Sequence, residues 1–335
     1  MNICICGGGN LGHVITGYLA NKGYEVSLLT RHPEQWDKTL HITTPEGKTL
    51  EGTISRLSAN PAELIPQADL ILLCLPGYGI ADTLQAILPY LPPHTAVGSV
   101  VSSTGFFFEA MGILPETTPL YGFQRVPFIA RVEDYGKSAH LLGYKSSLSI
   151  AVERGEGLSL AETLGKMFDT PVHLLASHYE VSLTNSNPLL HTSRLYDMWH
   201  DWHEGVTYPI QSQFYSDWTD EASQLLIDMD KEFFLLLDIL PVTPGAIPTV
   251  LDYYESTNAA TLTQKLHSIE AFKGILSPMK KIGNAFVPDF QSRYFTEDFP
   301  YGLAIIHRLM HEHHIHCPYI NKVYEWGKTM LTINT

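Results

Sequence analysis

Six residues constrain this chain more than any others: Gly7-Gly8-Gly9-Asn10-Leu11-Gly12. The spacing G-x-G-x-x-G is weak by itself. Here it follows a short apolar run, Asn2–Cys6, and opens a segment of helical periodicity over residues 10–22, in which Leu11, Ile15, Tyr18 and Leu19 share one face. A strand that turns sharply into a helix offers the free N–H groups and partial positive charge of the helix start to whatever lies at the turn. The first glycine permits the turn, the second lets a phosphate approach the backbone, and the third lets helix and strand pack closely. Gly7, Gly9, Asn10, Leu11 and Gly12 are therefore expected to cradle the pyrophosphate of a dinucleotide.

The residues that follow extend the same plan. Residues 24–30, 70–75, 96–101 and 119–124 read as strands, and residues 80–88 as a helix between two of them. The run at 70–75 is apolar without interruption, the mark of a parallel strand buried on both faces. Strands alternating with crossover helices predict a doubly wound parallel sheet of the Rossmann type. Residues 140–152 read as a strand pair, 159–168 as a helix and 171–176 as a closing strand. Beyond that the periodicity is helical, over 221–240, 259–267, 301–313 and 320–330. The expected organisation is a dinucleotide-binding domain over residues 1–177 and an all-α substrate domain over 178–335.

The tip of the second strand bears on which dinucleotide is used. An acidic residue about 20 positions past the glycines would bond a ribose 2′-hydroxyl. This chain has Leu29-Thr30-Arg31-His32 instead. Thr30 and Arg31 are placed at the adenosine end, where the Arg31 guanidinium can pair with a 2′-phosphate through two hydrogen bonds. The cofactor expected is NADP, with NAD as second choice. Pro76, after the third strand, sits at the carboxyl edge of the sheet and is expected to line the nicotinamide ribose. Ser102-Ser103-Thr104-Gly105 occupies the matching place one strand further on.

Charge narrows the partners. The 335 residues carry a net charge of −14, which disfavours nucleic acid and anionic membrane surfaces. No stretch approaches the ~20 apolar residues of a membrane span. Four cysteines, Cys4, Cys6, Cys74 and Cys317, have no disulfide pattern, and Cys4 and Cys6 point the same way on a strand, as small buried side chains. With no basic stretch after Met1, these features place the chain in the cytoplasm. The histidines between His307 and His316 lack a zinc-protease spacing, since Ile315 stands where a second ligand belongs, so no metal site is expected.

Two segments of the second half carry the chemistry. In Thr184-Asn185-Ser186-Asn187-Pro188-Leu189-Leu190-His191, Ser and Asn followed by Pro signal a helix start, which puts His191 one turn in. A hydride transfer needs a proton donor, and histidine titrates near neutrality. The second segment is Arg293-Tyr294-Phe295-Thr296-Glu297-Asp298-Phe299-Pro300. Thr296 or Asp298 can cap the helix that follows. Asp298 can instead orient the His191 ring, and Arg293 can clamp a carboxylate. An aromatic cluster of Tyr196, Trp199, Trp202, Tyr215 and Trp218 reads as core or as the wall of a pocket.

Together these segments resemble the octopine/nopaline (opine) dehydrogenase family, and the order of domains matches over nearly the whole chain. The resemblance implies NAD(P)H-dependent reductive condensation of a 2-oxo acid with the amino group of an amino acid. It also implies that His191 is the acid/base, Asp298 its partner and Arg293 the holder of the oxo-acid carboxylate. Gln124, in Gly122-Phe123-Gln124-Arg125-Val126-Pro127, matches a substrate-contacting position, and Asn187 is grouped with it. The helical half is one that can form a homodimer. Two other readings stand beside this one. A reductase like ketopantoate reductase or the hydroxyacid dehydrogenases shares the two-domain plan, though such enzymes often use a lysine early in the helical domain and none lies between Lys166 and Lys231. A non-catalytic NADP sensor would need only the glycine loop.

Overall fold

The structure is a computed structural model and describes residues 1–333. Its contacts divide the chain into two compact units, Met1–Thr184 and Asn185–Thr335.

In the first unit the strands are β1 (Asn2–Cys6), β2 (Glu25–Leu29), β3 (Thr39–Thr43), β4 (Thr49–Thr53), β5 (Arg56–Ser58), β6 (Leu70–Leu73), β7 (Ala96–Ser99), β8 (Leu120–Phe123), β9 (Phe128–Asp134), β10 (Ser138–Tyr144), β11 (Leu148–Glu153) and β12 (Val172–Leu174). The helices are α1 (Asn10–Asn21), α2 (Pro61–Leu64), α3 (Ile80–Ile87), α4 (Phe106–Ile113), α5 (Gly157–Phe168) and α6 (His178–Ser182). Eight strands form the main sheet in the order β12-β11-β8-β7-β6-β1-β2-β5. All neighbours from β5 to β8 run parallel, and β11 enters antiparallel to β8. This is the doubly wound Rossmann architecture. The chain order reverses between β1 and β6, so a crevice opens at their carboxyl ends, the usual ligand position in such sheets.

β1 is buried on both faces, and its alternation divides it between two cores. Ile3 and Ile5 join the cluster on the α1 side, while Cys4 and Cys6 join the cluster of α3 and α4. The two cysteines do point the same way, as free buried thiols.

The expected strand pair at 140–152 is corrected. Both segments are strands, but they do not pair with each other. β10 pairs with β9 and β3 in a separate four-stranded sheet, β4-β3-β10-β9, and β11 belongs to the main sheet. The small sheet lies on α1, packing Leu40, Ile42, Phe128 and Leu141 into the α1-side core. Alternation marks a strand without naming its partner, which is set by burial of one face against another element.

The second unit holds α7 (Asn187–Trp199), α8 (Asp220–Leu237), α9 (Val250–Tyr253), α10 (Ala259–Ser268), α11 (Arg293–Thr296), α12 (Ala304–Glu312) and α13 (Pro318–Ile333). It also contains a hairpin of β13 (Met279–Ile282) and β14 (Ala285–Pro288). Thr219 caps α8 by accepting from Ala222 N at 3.0 Å, with Asp220 and Glu221 in the first turn. Leu226, Met229, Phe233 and Leu236 then recur at helical spacing and are buried. α7, α10 and α13 pack against this helix. None of the described helices is long and apolar enough to cross a membrane.

Candidate active site

The glycine loop has the geometry its residues suggest. Gly7 has φ +112°, a region open to glycine and strained for other residues, and its N–H donates to Leu29 O across to β2. An ideal Cβ on Gly12 would lie 2.0 Å from Gly7 O, so no side chain fits where α1 leaves the strand. A Cβ on Gly9 would meet nothing within 4 Å. Gly9 is the N-cap of α1, and no side chain caps the helix, so its first N–H groups have no partner within the helix. These open donors border a cleft of about 600 Å3 lined by Gly7, Gly8, Gly9, Thr30, Arg31 and Pro76, among others. A helix start free to receive an anion, beside a cleft of ligand size, fits a dinucleotide. Asn10 holds the loop from outside: its Oδ1 accepts from Val132 N of β9 at 2.8 Å. Leu11 packs against the α1-side core rather than lining the cleft.

Three residues of this site escape sequence reasoning. His13 is buried in α1, with Nδ1 2.9 Å from Gly9 O and Nε2 accepting from Gly136 N at 2.7 Å. An N–H at Nε2 would leave the Gly136 donor unmet, so Nδ1 carries the proton and ties the first turn of α1 together. Burial lowers the His13 pKa and keeps the ring neutral. Trp36 stacks on His13 at 4.0 Å, and Tyr135 meets both rings edge-on. Tyr135 also lines the cleft. These aromatics come from the segments that lead into the parallel strands β3 and β10, more than 20 and more than 120 positions past the loop, which no local spacing connects.

Gln124, just after β8, donates from its backbone to Ser149 O at 2.9 Å, and its Nε2 lies 3.4 Å from Glu180 O. Cys74 lines the cleft, and its side chain joins the α1-side core, where burial pushes the thiol pKa up to about 12.

In the second unit, α7 starts at Asn187 with Pro188 in its first turn. Asn185 Oδ1 accepts from Asn187 N at 3.2 Å, an Asx turn that launches the helix. His191 follows one turn later, with its Nδ1 2.8 Å from Asp298 Oδ2. Asp298 begins a π-helical turn, Phe299–Leu303, but its side chain makes no capping bond there. Thr296 bonds back to Ser292 O. The capping reading of these two residues is thus corrected: the Asp298 carboxylate faces the imidazole. The meeting is enforced by packing. An ideal Cβ on Gly302 would lie 2.5 Å from Pro188 Cγ, so the turn that follows Asp298 is seated directly on the start of α7.

A carboxylate at Nδ1 makes Nδ1 the protonated nitrogen and leaves Nε2 to exchange protons. Nε2 lies 2.9 Å from the hydroxyl of Tyr215. The ring of Tyr294 packs against the imidazole at 4.7 Å. Burial and the Asp298 charge raise the Tyr294 pKa. Arg293, at the start of α11, is exposed and forms no ion pair among the described residues. Trp199, Tyr215 and Trp218 are buried in the aromatic core, with Tyr215 reaching His191.

Comparison with known proteins agrees with this layout. Residues 174–331 match the family model described as NAD/NADP octopine/nopaline dehydrogenase, alpha-helical domain. Residues 3–105 match that of ketopantoate reductase PanE/ApbA. A tauropine dehydrogenase of Arabella iricolor is 27% identical, over 98% of this chain and 91% of its own. An octopine dehydrogenase of Mizuhopecten yessoensis is 26% identical, over 98% and 89%. Among solved structures, octopine dehydrogenase with NADH and L-arginine superimposes with a TM-score of 0.86 at 22% identity, over 99% of this chain and 90% of that one. Yersinopine dehydrogenase with NADP+ bound gives a TM-score of 0.71 at 12% identity, over 99% and 91%.

Proposed function

We propose that this chain, whose residues 174–331 match the helical domain of the octopine/nopaline dehydrogenase family, joins a 2-oxo acid to the amino group of an amino acid, using NADPH as reductant. The observation that carries the reading is the His191–Asp298 pair, 2.8 Å apart inside the segment matched by the family's helical domain. The dinucleotide supplies the hydride. The backbone of Gly7, Gly9, Asn10, Leu11 and Gly12 would hold its pyrophosphate at the start of α1, Thr30 and Arg31 would take its adenosine end, and Pro76 would line its nicotinamide ribose.

Asp298 fixes His191 with Nδ1 protonated and steadies the charged ring, as a carboxylate does in any such pair. His191 then holds the proton consumed when the hydroxyl of the carbinolamine leaves as water. Arg293, exposed and without an ion pair among the described residues, is the cation for the oxo-acid carboxylate. Gln124 and Asn187 complete the substrate contacts. The four buried free thiols fit a reducing, cytoplasmic setting.

The test is oxidation of NADPH and NADH against a matrix of 2-oxo acids, with and without amino acids. Turnover only when both are present is the expected result. A second reading, reduction of a 2-oxo acid alone, is favoured by the ketopantoate reductase match over residues 3–105. Turnover without the amine would select it.

A further inference from the structure

Both ring nitrogens of His191 are engaged within the helical unit: Nδ1 by Asp298 at 2.8 Å and Nε2 by the Tyr215 hydroxyl at 2.9 Å. A histidine held in this way reaches a substrate only if Tyr215 withdraws or if Tyr215 itself conveys the proton.

The surroundings of Tyr215 favour conveyance. Arg194, one turn after His191 on α7, is 3% exposed. Its Nε donates to Phe214 O at 3.2 Å and its Nη2 to Asp217 O, so it grips the backbone on both sides of Tyr215. Arg194 is itself held by Asp197 at 2.7 Å, and Phe214 N donates to Ile275 O at 2.7 Å. The Tyr215 ring stacks on Phe272 at 4.0 Å with an interplanar angle of 14°. A backbone shift at Tyr215 would break this clamp and leave a buried guanidinium short of acceptors, which is costly, and a swing of the ring alone would give up its stacking on Phe272. Burial pushes the phenol pKa well above its usual range, so the group keeps its proton and can both accept and donate.

We propose that Tyr215 is the terminal proton donor of an Asp298–His191–Tyr215 relay. The inference rests on the reading of His191 as the acid. In the step, the protonated Nε2 gives its proton to the Tyr215 oxygen while the Tyr215 O–H passes its own to the carbinolamine hydroxyl. The C–O bond breaks, water leaves, and the nitrogen lone pair forms the C=N bond. Tyr215 ends unchanged and His191 neutral. The C=N bond is then the acceptor for the hydride that the dinucleotide would supply when bound.

The test compares wild type with Tyr215→Phe, which keeps the ring and its stacking. The expected result is a kcat lower by about 10²-fold, the low end for acid–base groups, with substrate KM and melting temperature unchanged. In mixtures of light and heavy water, wild-type kcat should fall along a curve, because two protons move, and the variant along a straight line. A variant with wild-type kcat, or with raised KM and intact kcat, would overturn the relay and leave Tyr215 as a wall. Turnover of the oxo acid without amine would sink the condensation reading alone, and the same comparison on that reaction would still judge the relay. A further measurement needs no turnover: with isotope-labelled histidine, the Nε2 resonance of His191 must move in Tyr215→Phe, and a fixed resonance refutes the hydrogen bond on which the relay depends.

Discussion

The imidazole of His191 and the carboxylate of Asp298 meet at 2.8 Å although 107 positions separate them in the chain. Asp298→Asn keeps the shape and removes the charge, and the amide can present an N–H that forces the other tautomer. The expected outcome is a kcat lower by roughly 10²- to 10⁴-fold, with NADPH affinity unchanged by fluorescence titration. Retention of full activity would remove Asp298 from the proposed mechanism.

Gly302 holds that meeting in register. Gly302→Ala would put a methyl group 2.5 Å from Pro188 Cγ, and a proline ring in the first turn of a helix has little room to yield. Overpacking of this kind costs about 1–3 kcal/mol, so the midpoint of urea unfolding should fall. Because the turn must shift away from α7, activity should fall further than stability explains, measured at a temperature where the variant is fully folded.

Arg31 lines the cofactor cleft beside Thr30, with no acidic residue at the tip of β2. Arg31→Ala should lower kcat/KM for NADPH by roughly 10-fold or more, as loss of a charge-assisted pair implies, and leave NADH nearly unaffected. Equal losses with both would show that Arg31 does not read the 2′-phosphate.

Asp230 provides a pH signature. Burial raises its carboxyl pKa to about 6, against the opposing hydrogen bond from Val250 N at 2.9 Å. An acid whose folded pKa lies above its unfolded value holds more protons when folded. It therefore stabilises the fold fully below the unfolded value and loses that contribution as pH rises through about 6. The loss is on the order of 2–3 kcal/mol. Asp230→Asn keeps an acceptor for Val250 N. Its stability relative to wild type should increase from pH 4.5 to pH 7.5 in urea titrations, and a constant difference would contradict the assignment.

Sequence alone determined the Rossmann half and the glycine turn between β1 and α1, because those signals act within a few residues. A glycine permits a turn, an apolar run marks a buried strand, and a periodic face marks a helix. The start of α7 was legible for the same reason, in Pro188, whereas the Thr219 cap of α8 appears only in the structure. The tertiary structure alone decided what depends on which surfaces meet. It separated β10 from β11 into two sheets, since a half-buried strand has no local marker of its partner. It brought Trp36 and Tyr135 onto His13 at the glycine loop. It turned Asp298 away from a capping role and aimed the Tyr215 hydroxyl at His191. Each of these side-chain meetings joins residues more than 20 positions apart, where the energy comes from burial and close packing of whole elements, and neither residue type nor spacing encodes it locally.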